Sequence, residues 1–189
     1  MSTPLIFTPN MMIGIISGDK TQTCRIPGPT IKGIQNTGDT IWVRENFYEK
    51  GNWHPFSGPN GVDCQDANWS SLKEVRYAVN SDKPASKPPE YWWRSRPSIH
   101  MPRWASRYTL GVNKICRKRV QNLTLDEINR EGIGIFFSKE MAVKAWESLW
   151  VSLYGLDSWK SNPELVVIGF NVLESDKTSD IKLTRMVGV

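Results

Sequence analysis

The sequence predicts an α+β protein built as a mixed β-barrel with peripheral helices, and three observations lead to this prediction. Strand-like segments stand near both ends of the chain, at Pro4–Pro9 and at Glu164–Ser175. Helical patterns lie between the strands rather than after each of them. The regular alternation of strand and helix that builds a parallel sheet is absent.

The length and composition predict one domain. A chain of 189 residues is long enough to bury a sizeable core. Its mean hydropathy of −0.42 is typical of a soluble protein with generous loops. No apolar run approaches the roughly 20 residues that a membrane span needs, and the first residues lack the pattern of a secretory signal. We therefore expect a cytoplasmic protein without a membrane partner.

The cysteines and histidines argue against a disulfide framework and against a zinc site. Cys24, Cys64 and Cys116 are odd in number and far apart, which favours reduced thiols. No pair of cysteines has the C-x-x-C spacing, and the chain has two histidines. No metal or other cofactor is expected.

Three segments have helical patterns. Asn10–Gly18 has Asn10 as its expected N-cap and Gly18 as its end. Thr124–Ile133 opens with the capping-box spacing of Thr124 and Glu127. Ser138–Gly155 is the strongest helix, with Ser138 as its cap. Its apolar residues recur near the helical period at Met141, Ala145, Leu149 and Leu153.

The remaining segments are strands and a long insertion. Gly38–Asn46 is rich in β-branched and aromatic residues, and Ser106–Leu123 reads as a long or bulged strand. Pro, Gly, Asn and Ser dominate residues 51–95, with one strand-like segment at Glu74–Asn80. We interpret 51–95 as a long irregular insertion within a single domain of residues 1–175. Residues 176–189 form a polar C-terminal tail.

The charge and the tryptophans favour a polyanionic partner. The net charge is +5, and a basic run at Arg117, Lys118 and Arg119 either tracks phosphates or is a solvated strand face. Nine tryptophans are present. Trp42, Trp146 and Trp150 are expected in the core. A second set lies among arginines, where aromatic faces and guanidinium groups suit bases and phosphates. It comprises Trp92, Trp93, Trp104, Arg94, Arg96, Arg103 and Arg107.

The polar segment GDKTQTCR, Gly18–Arg25, has no large apolar side chain and a cation near each end. By itself it is compatible with a polar turn before a strand or with the wall of a polar pocket. On an extended backbone Thr23 and Arg25 share a face, and Cys24 points away from them. Cys24 is therefore expected to be buried rather than reactive.

Five sequence blocks in order resemble the ASCH domain of the PUA-like superfamily, and most closely the longer ASCH-like proteins of phage and prophage genomes. The blocks are GDKTQTCR, GDTIWVRE, RPSIHMPRWASR, LTLDEINREGI and VVIGFNVLE. The resemblance covers about residues 4–174, with 51–95 poorly matched. It implies a PUA-like β-barrel whose cleft accepts a nucleoside or single-stranded RNA, in a host cytoplasm if the gene is viral.

The resemblance also implies a site. Some small bacterial relatives remove the acyl group from N4-acetylcytidine, and others have been linked to RNA cleavage. The lysine and second threonine of the G-x-K-T-x-T-x-R motif of the deacylating relatives fall on Lys20 and Thr23. The glutamate of a later helix falls on Glu131, with Glu127 as the competing choice. Arg25 closes the motif.

The chemistry implied is hydrolysis of an N4-acyl bond. Thr23 supplies a hydroxyl, Lys20 takes its proton, and Glu131 either passes a proton to the departing nitrogen or orients Lys20. Further contacts to substrate are expected from Arg25, Arg44, Arg96, His100 and Arg103. A non-catalytic RNA or modified-base binding module and a ribonuclease stay open as alternatives. The oligomeric state and the natural substrate are also open.

Overall fold

The computed structural model describes residues 2–57 and 63–175. Eight strands and four α-helices occur in these residues, which confirms the α+β prediction. In chain order they are β1 (Ser2–Ile6), α1 (Pro9–Ser17), β2 (Gln22–Arg25), β3 (Thr40–Arg44), β4 (Phe47–Ser57), β5 (Asp63–Tyr77), β6 (Trp92–Arg96), β7 (Tyr108–Arg119), α2 (Leu125–Arg130), α3 (Lys139–Tyr154), α4 (Leu156–Ser161) and β8 (Glu164–Ser175). None of these helices is long and apolar enough to cross a membrane. The polar tail expected at 176–189 lies outside the described residues.

The contacts divide the chain into two compact units, one formed by Met1–Val43 with Arg107–Asp176 and the other containing Arg44–Ser106. The first unit contains a five-stranded sheet in the order β1-β3-β7-β8-β2. Its longest ladder pairs β7 with β8 antiparallel, and register shifts between Thr109 and Leu110 and between Val112 and Lys114 confirm the bulged strand.

The five-stranded sheet curls so that its two edge strands come close. Arg25 at the end of β2 donates a hydrogen bond of 2.9 Å to the carbonyl of Ile6 at the end of β1. In a flat sheet these edges would stand four strand spacings, about 19 Å, apart. The phenyl rings of Phe7 and Phe170 also meet edge to face at 6.2 Å. This curvature is the barrel-like feature of the unit.

A core of large side chains fills the space between one face of this sheet and the helices α2, α3 and α4. Its buried members are Cys24, Val120, Leu123, Ile128, Ala142, Trp146, Trp150, Trp159, Leu165 and Val167. The indole of Trp146 donates a hydrogen bond of 3.0 Å to the carbonyl of Val120, so a polar bond fixes α3 to the end of β7.

Helices α1, α2 and α3 confirm the predicted positions, with differences at the caps and on one face, whereas α4 was not predicted. The N-cap of α1 is Thr8 rather than Asn10, because Pro9 occupies the first helical position, where proline fits best. Thr124 and Glu127 form the expected capping box of α2. In α3 the buried positions are Ala142, Trp146 and Trp150 instead of the predicted stripe. Met141 and Leu153, from that stripe, are mostly exposed.

The second unit is more regular than its composition suggests. It contains a three-stranded antiparallel sheet in the order β5-β4-β6, where the pattern indicated one strand. A small core of Phe47, Tyr77, Met101 and Ala105 lies in this unit. The strands β4 and β5 carry few aliphatic residues, so their alternation gave no signal.

Candidate functional site

The segment that follows α1 is held by backbone hydrogen bonds to three other elements. Gly18 ends α1 in the left-handed conformation. The N–H of Lys20 then donates to the carbonyl of Gly14 at 2.8 Å, and the N–H of Thr21 donates to the carbonyl of Arg130 at 3.0 Å. The carbonyl of Thr21 accepts from the N–H of Phe170 in β8 at 2.9 Å. The Lys20 side chain therefore has a fixed origin next to the end of α2.

Lys20 and Glu131 form a buried ion pair across 111 residues of sequence. The Lys20 ammonium donates to Glu131 Oε2 at 2.8 Å and to the Glu131 carbonyl at 2.8 Å. The two side chains are 1% and 5% exposed. Of the two glutamates considered for the site, Glu131 is thus the one that contacts Lys20.

Two glycines allow Lys20 to lie against this helix end. A Cβ atom at Gly14 would stand 2.9 Å from the Lys20 Cβ, and one at Gly132 would stand 2.8 Å from it. Gly132 also has a φ of +71°, which side chains rarely adopt. The glycine after Glu131 in NREGI is therefore required both by the turn and by the lysine.

Two buried polar atoms at these positions have no hydrogen-bond partner among the described residues. They are Glu131 Oε1 and Thr23 Oγ1. Buried oxygens are nearly always paired, because leaving one unpaired costs about 1–3 kcal/mol. The pair holds one oxygen of the Glu131 carboxylate and leaves the other available to a water molecule or a ligand.

A narrow cleft opens beside Glu131. Besides Glu131 it is lined by Cys24 and Arg25 from β2, by Met11 from α1 and by one face of α3 with Trp146, Leu149, Trp150, Leu153 and Tyr154. Its volume of about 20 Å³ is enough for one water molecule. Thr23 is not among the lining residues, and it alternates with Cys24 along β2.

The cysteine in this cleft is unsuited to act as a nucleophile. Burial, and after it the negative charge of Glu131, raise the pKa of the Cys24 thiol well above its ordinary value. A thiol that stays protonated is a weak nucleophile. Cys24 is 6% exposed, which confirms the expectation that it is buried. Arg25 lines the same cleft, where burial lowers the pKa of its guanidinium.

Glu127 has a structural role. Its carboxylate accepts hydrogen bonds from Lys118 at 2.8 Å, from the Thr124 N–H at 3.0 Å and from Lys114 at 3.2 Å. Burial raises its pKa, but these hydrogen bonds outweigh burial and bring the pKa to about 2. Glu127 therefore carries a full negative charge that fastens α2 to β7.

The basic run on β7 is engaged within the protein. Arg117 pairs with Glu164 at 2.6 Å, Lys118 pairs with Glu127, and Arg119 donates to the carbonyl of Asn162 at 3.2 Å. Each cation thus already has an intramolecular acceptor. A role of this run in holding phosphates stays a prediction.

The other expected substrate contacts belong to the second unit. Arg44 donates a hydrogen bond to the carbonyl of Ile99, and Arg96 Nε lies 3.5 Å from Glu49 Oε2. His100 and Arg103 are exposed on two short 3-10 turns. The structure brings together Lys20, Glu131 and Arg25 in the first unit, and the substrate role of the four second-unit residues stays a prediction.

Sequence reasoning missed the apolar half of the cleft. Met11, Leu149, Leu153 and Tyr154 were not considered for the site. The available signal was the apolar stripe of α3, which contains Leu149 and Leu153. Within residues 2–57 and 63–175, no three Asp, Glu, His or Cys residues are grouped as a metal site.

Comparisons with known proteins gave similarities in structure. No protein-family model and no curated protein sequence matches the chain. Protein EF3133 from Enterococcus faecalis V583, a member of DUF984, is similar with a TM-score of 0.43 and 11% identity, over 93% of this chain and 83% of that one. The Y47F mutant of ZmASCH from Zymomonas mobilis is similar with a TM-score of 0.37 and 12% identity, over 96% of this chain and 81% of that one.

Proposed function

We propose that the protein is a hydrolase that removes an acyl group from the exocyclic nitrogen of a modified cytidine, with N4-acetylcytidine as the representative substrate. One observation carries the proposal. A buried Lys20–Glu131 pair leaves Glu131 Oε1 without a hydrogen-bond partner, and Thr23 nearby in sequence has a buried hydroxyl in the same condition. A proton acceptor and a hydroxyl are the groups that amide hydrolysis needs.

The proposed reaction has two stages. Thr23 Oγ attacks the acyl carbon, its proton passes to the Lys20–Glu131 pair, and the C–N bond breaks as the pair returns the proton to the leaving nitrogen. Water then attacks the acyl–threonine ester and releases the carboxylic acid and free Thr23. Thr23 Oγ1 does not line the cleft beside Glu131 and has no hydrogen bond to the pair, so attack by Thr23 requires β2 to open locally, whereas attack by water activated at Glu131 Oε1 requires no such opening.

The narrow cleft constrains how a nucleoside could enter. A space of about 20 Å³ admits one water molecule but no pyrimidine ring. A base would have to displace side chains at the mouth, and the flexible ones are Met11 and Leu153. The rings of Trp150 and Tyr154, with centroids 4.4 Å apart, offer an aromatic wall for the base.

The test is an assay in which chromatography measures the conversion of N4-acetylcytidine to cytidine. We expect turnover by the wild type, and a loss of at least 100-fold in Lys20→Met, Glu131→Gln and Thr23→Ala. Glu127→Gln is the matched control, since it removes the other buried glutamate of the same segment and should retain activity at neutral pH. An absence of turnover by the folded wild type refutes the proposal. Turnover that survives Thr23→Ala removes Thr23 as nucleophile and leaves water activated by Glu131.

A further inference from the structure

One face of the three-stranded sheet in the second unit collects aromatic and cationic side chains. In the antiparallel register Glu49 lies opposite Arg94, Gly51 lies opposite Trp92, and Trp53 lies opposite Trp69. Residues directly opposite each other point to the same side of a sheet. We call this surface the tryptophan face and define it by Glu49, Trp53, Trp69, Trp92, Arg94 and Arg96.

Arg94 is at the centre of the tryptophan face. Its guanidinium carbon lies 4.1 Å from the centroid of the Trp69 ring and 5.8 Å from that of Trp53. It also donates two hydrogen bonds to Glu49 Oε2, at 2.7 and 3.0 Å. The two indole rings meet edge to face at 4.9 Å. These contacts hold the rings in fixed orientations before any ligand arrives.

Gly51 makes the arrangement of the rings possible. A Cβ atom at this position would stand 2.5 Å from the Trp69 ring and 2.3 Å from the carbonyl of Ser70. The Trp69 ring therefore lies against the backbone of β4 at Gly51, where a side chain on residue 51 would exclude it. The glycine in β4, which is untypical of a strand, is therefore what makes room for the aromatic surface.

Three features of the tryptophan face are unexplained by packing. Trp53 and Trp92 keep 44% and 38% of their surface exposed. One buried N–H donor, Trp69 Nε1, has no hydrogen-bond partner among the described residues, and Arg96 Nε contacts Glu49 Oε2 only as an ion pair at 3.5 Å. Arg94 and Arg96 share one carboxylate, that of Glu49, so the face keeps a net positive charge.

We infer that the tryptophan face binds single-stranded nucleic acid, with bases stacked on Trp53 and Trp92 and with phosphate oxygens accepting from the partly exposed guanidinium groups of Arg94 and Arg96. Exposed aromatic faces that alternate with guanidinium groups on a sheet suit unpaired bases joined by phosphates. Two guanidinium groups that share one carboxylate leave a positive charge, which favours an anionic ligand. A neutral glycan could stack on the tryptophan rings but would not neutralise the positive charge of Arg94 and Arg96.

This inference does not depend on the proposed hydrolase, because the residues of the tryptophan face all belong to the second unit, whereas Lys20 and Glu131 belong to the first. Glu131→Gln should abolish hydrolysis of the free nucleoside and leave nucleic-acid binding unchanged. The failure of one proposal is therefore distinguishable from the failure of the other.

The experiment measures the anisotropy of fluorescein-labelled 12-mers of uridine RNA and thymidine DNA with the full-length protein. We expect binding that weakens as salt rises, and a loss of roughly 10-fold for each of Trp53→Ala and Trp92→Ala. Trp53→Phe, which keeps a ring, should stay within about 3-fold of the wild type. Arg96→Gln should reduce the slope of log Kd against log salt by about 1. Comparing the two 12-mers distinguishes RNA from DNA.

Phe137→Ala is the matched control, since Phe137 is an aromatic residue that is 95% exposed and belongs to the first unit. It should bind as the wild type does. The inference is overturned if neither 12-mer binds at low salt, if the folded Trp53→Ala/Trp92→Ala double variant binds as tightly as wild type, or if a neutral glucan binds in preference to both.

Discussion

Lys20 shows how a residue can be fully paired and yet contribute little to stability. Both of its acceptors come from Glu131, and burial removes most of the hydration of the two charges. Desolvation of such a pair offsets most of its attraction, whereas removal of one partner leaves an uncompensated buried charge. A buried ion pair of this kind adds little net stability. Its effect on the free energy of unfolding can therefore be distinguished from its effect on activity.

We predict opposite outcomes for the stability and activity of variants at this pair. Lys20→Met or Glu131→Met alone should lower the free energy of unfolding by about 3 kcal/mol, because each leaves one buried charge without its partner. The double variant should regain most of that loss while showing no turnover of N4-acetylcytidine. Urea unfolding and the turnover assay measure the two quantities. A double variant as unstable as the single variants would mean that the pair is kept for stability.

Glu127 gives the protein a predictable response to acid. Its pKa is lowered from 4.5 in the unfolded chain to about 2 in the folded one, so the folded state binds its proton less readily. The resulting stability is fully present above about pH 4.5 and is lost as the pH falls through about 2. We expect Glu127→Gln to be less stable than wild type by about 1–3 kcal/mol at pH 7.

The measurement is the difference in unfolding free energy between wild type and Glu127→Gln across pH 7 to 2. This difference should shrink progressively below about pH 4.5. Asp126→Asn, which alters an exposed carboxylate of the same helix, serves as the control and should show a much smaller change. A difference that stays constant down to pH 2 would contradict the assigned hydrogen bonds.

At the scale of the element, α3 shows which apolar stripe of a helix faces the core. Trp150 is 2% exposed, whereas Met141 and Leu153 are 63% and 54% exposed. We predict that Trp150→Ala lowers the free energy of unfolding by about 3–5 kcal/mol and that Met141→Gln changes it by less than about 0.5 kcal/mol. Thermal and urea unfolding of the two variants provide the check. Comparable losses in both would mean that the stripe is assigned to the wrong side.

The sequence predicted element positions well and helix faces less well, for a physical reason. The strand at Glu164–Ser175 and the capping box of α2 depend on local chemistry, so they could be recognised from neighbours in sequence. In α3 two adjacent stripes are both apolar, and periodicity alone cannot choose between them. The choice depends on which residues the sheet presents to the helix, and that information is not local.

In the candidate site, too, some residues could be recognised from the sequence and others only from the packing. Lys20 was singled out by a motif, but its partner lies 111 residues away, and resemblance rather than any local pattern suggested Glu131. The glycines that make room for the lysine, Gly14 and Gly132, appear as ordinary helix and turn residues until the packing is known. In the second unit the sequence indicated only the end of β5, at Glu74–Asn80, because Asn, Ser and Trp replace the aliphatic residues that usually mark a strand in the rest of β5.

At the scale of the whole molecule, the register of β3 and β7 explains how the second unit can interrupt the first. Thr40, Ile41 and Trp42 pair with Gly111, Leu110 and Thr109. Continuing this antiparallel register places Val43 opposite Tyr108, about 5 Å apart. Within the first unit, the two residues that flank segment 44–107 therefore lie about one strand spacing apart.

We therefore predict that replacing residues 44–107 by Asn-Gly gives a folded protein. A two-residue Asn-Gly turn is the preferred closure of an antiparallel hairpin, and Val43 and Tyr108 would flank it. The shortened chain keeps Lys20, Thr23 and Glu131 but lacks the tryptophan face. It should unfold cooperatively, hydrolyse N4-acetylcytidine within about 10-fold of the full chain and fail to bind the 12-mers.

A matched replacement by Gly-Asn, whose order suits the turn less well, should be less stable with the same pattern of activities. If the shortened chain is unfolded in both forms, the second unit is required for the first to fold. If it folds without activity, the hydrolase site depends on residues of the second unit.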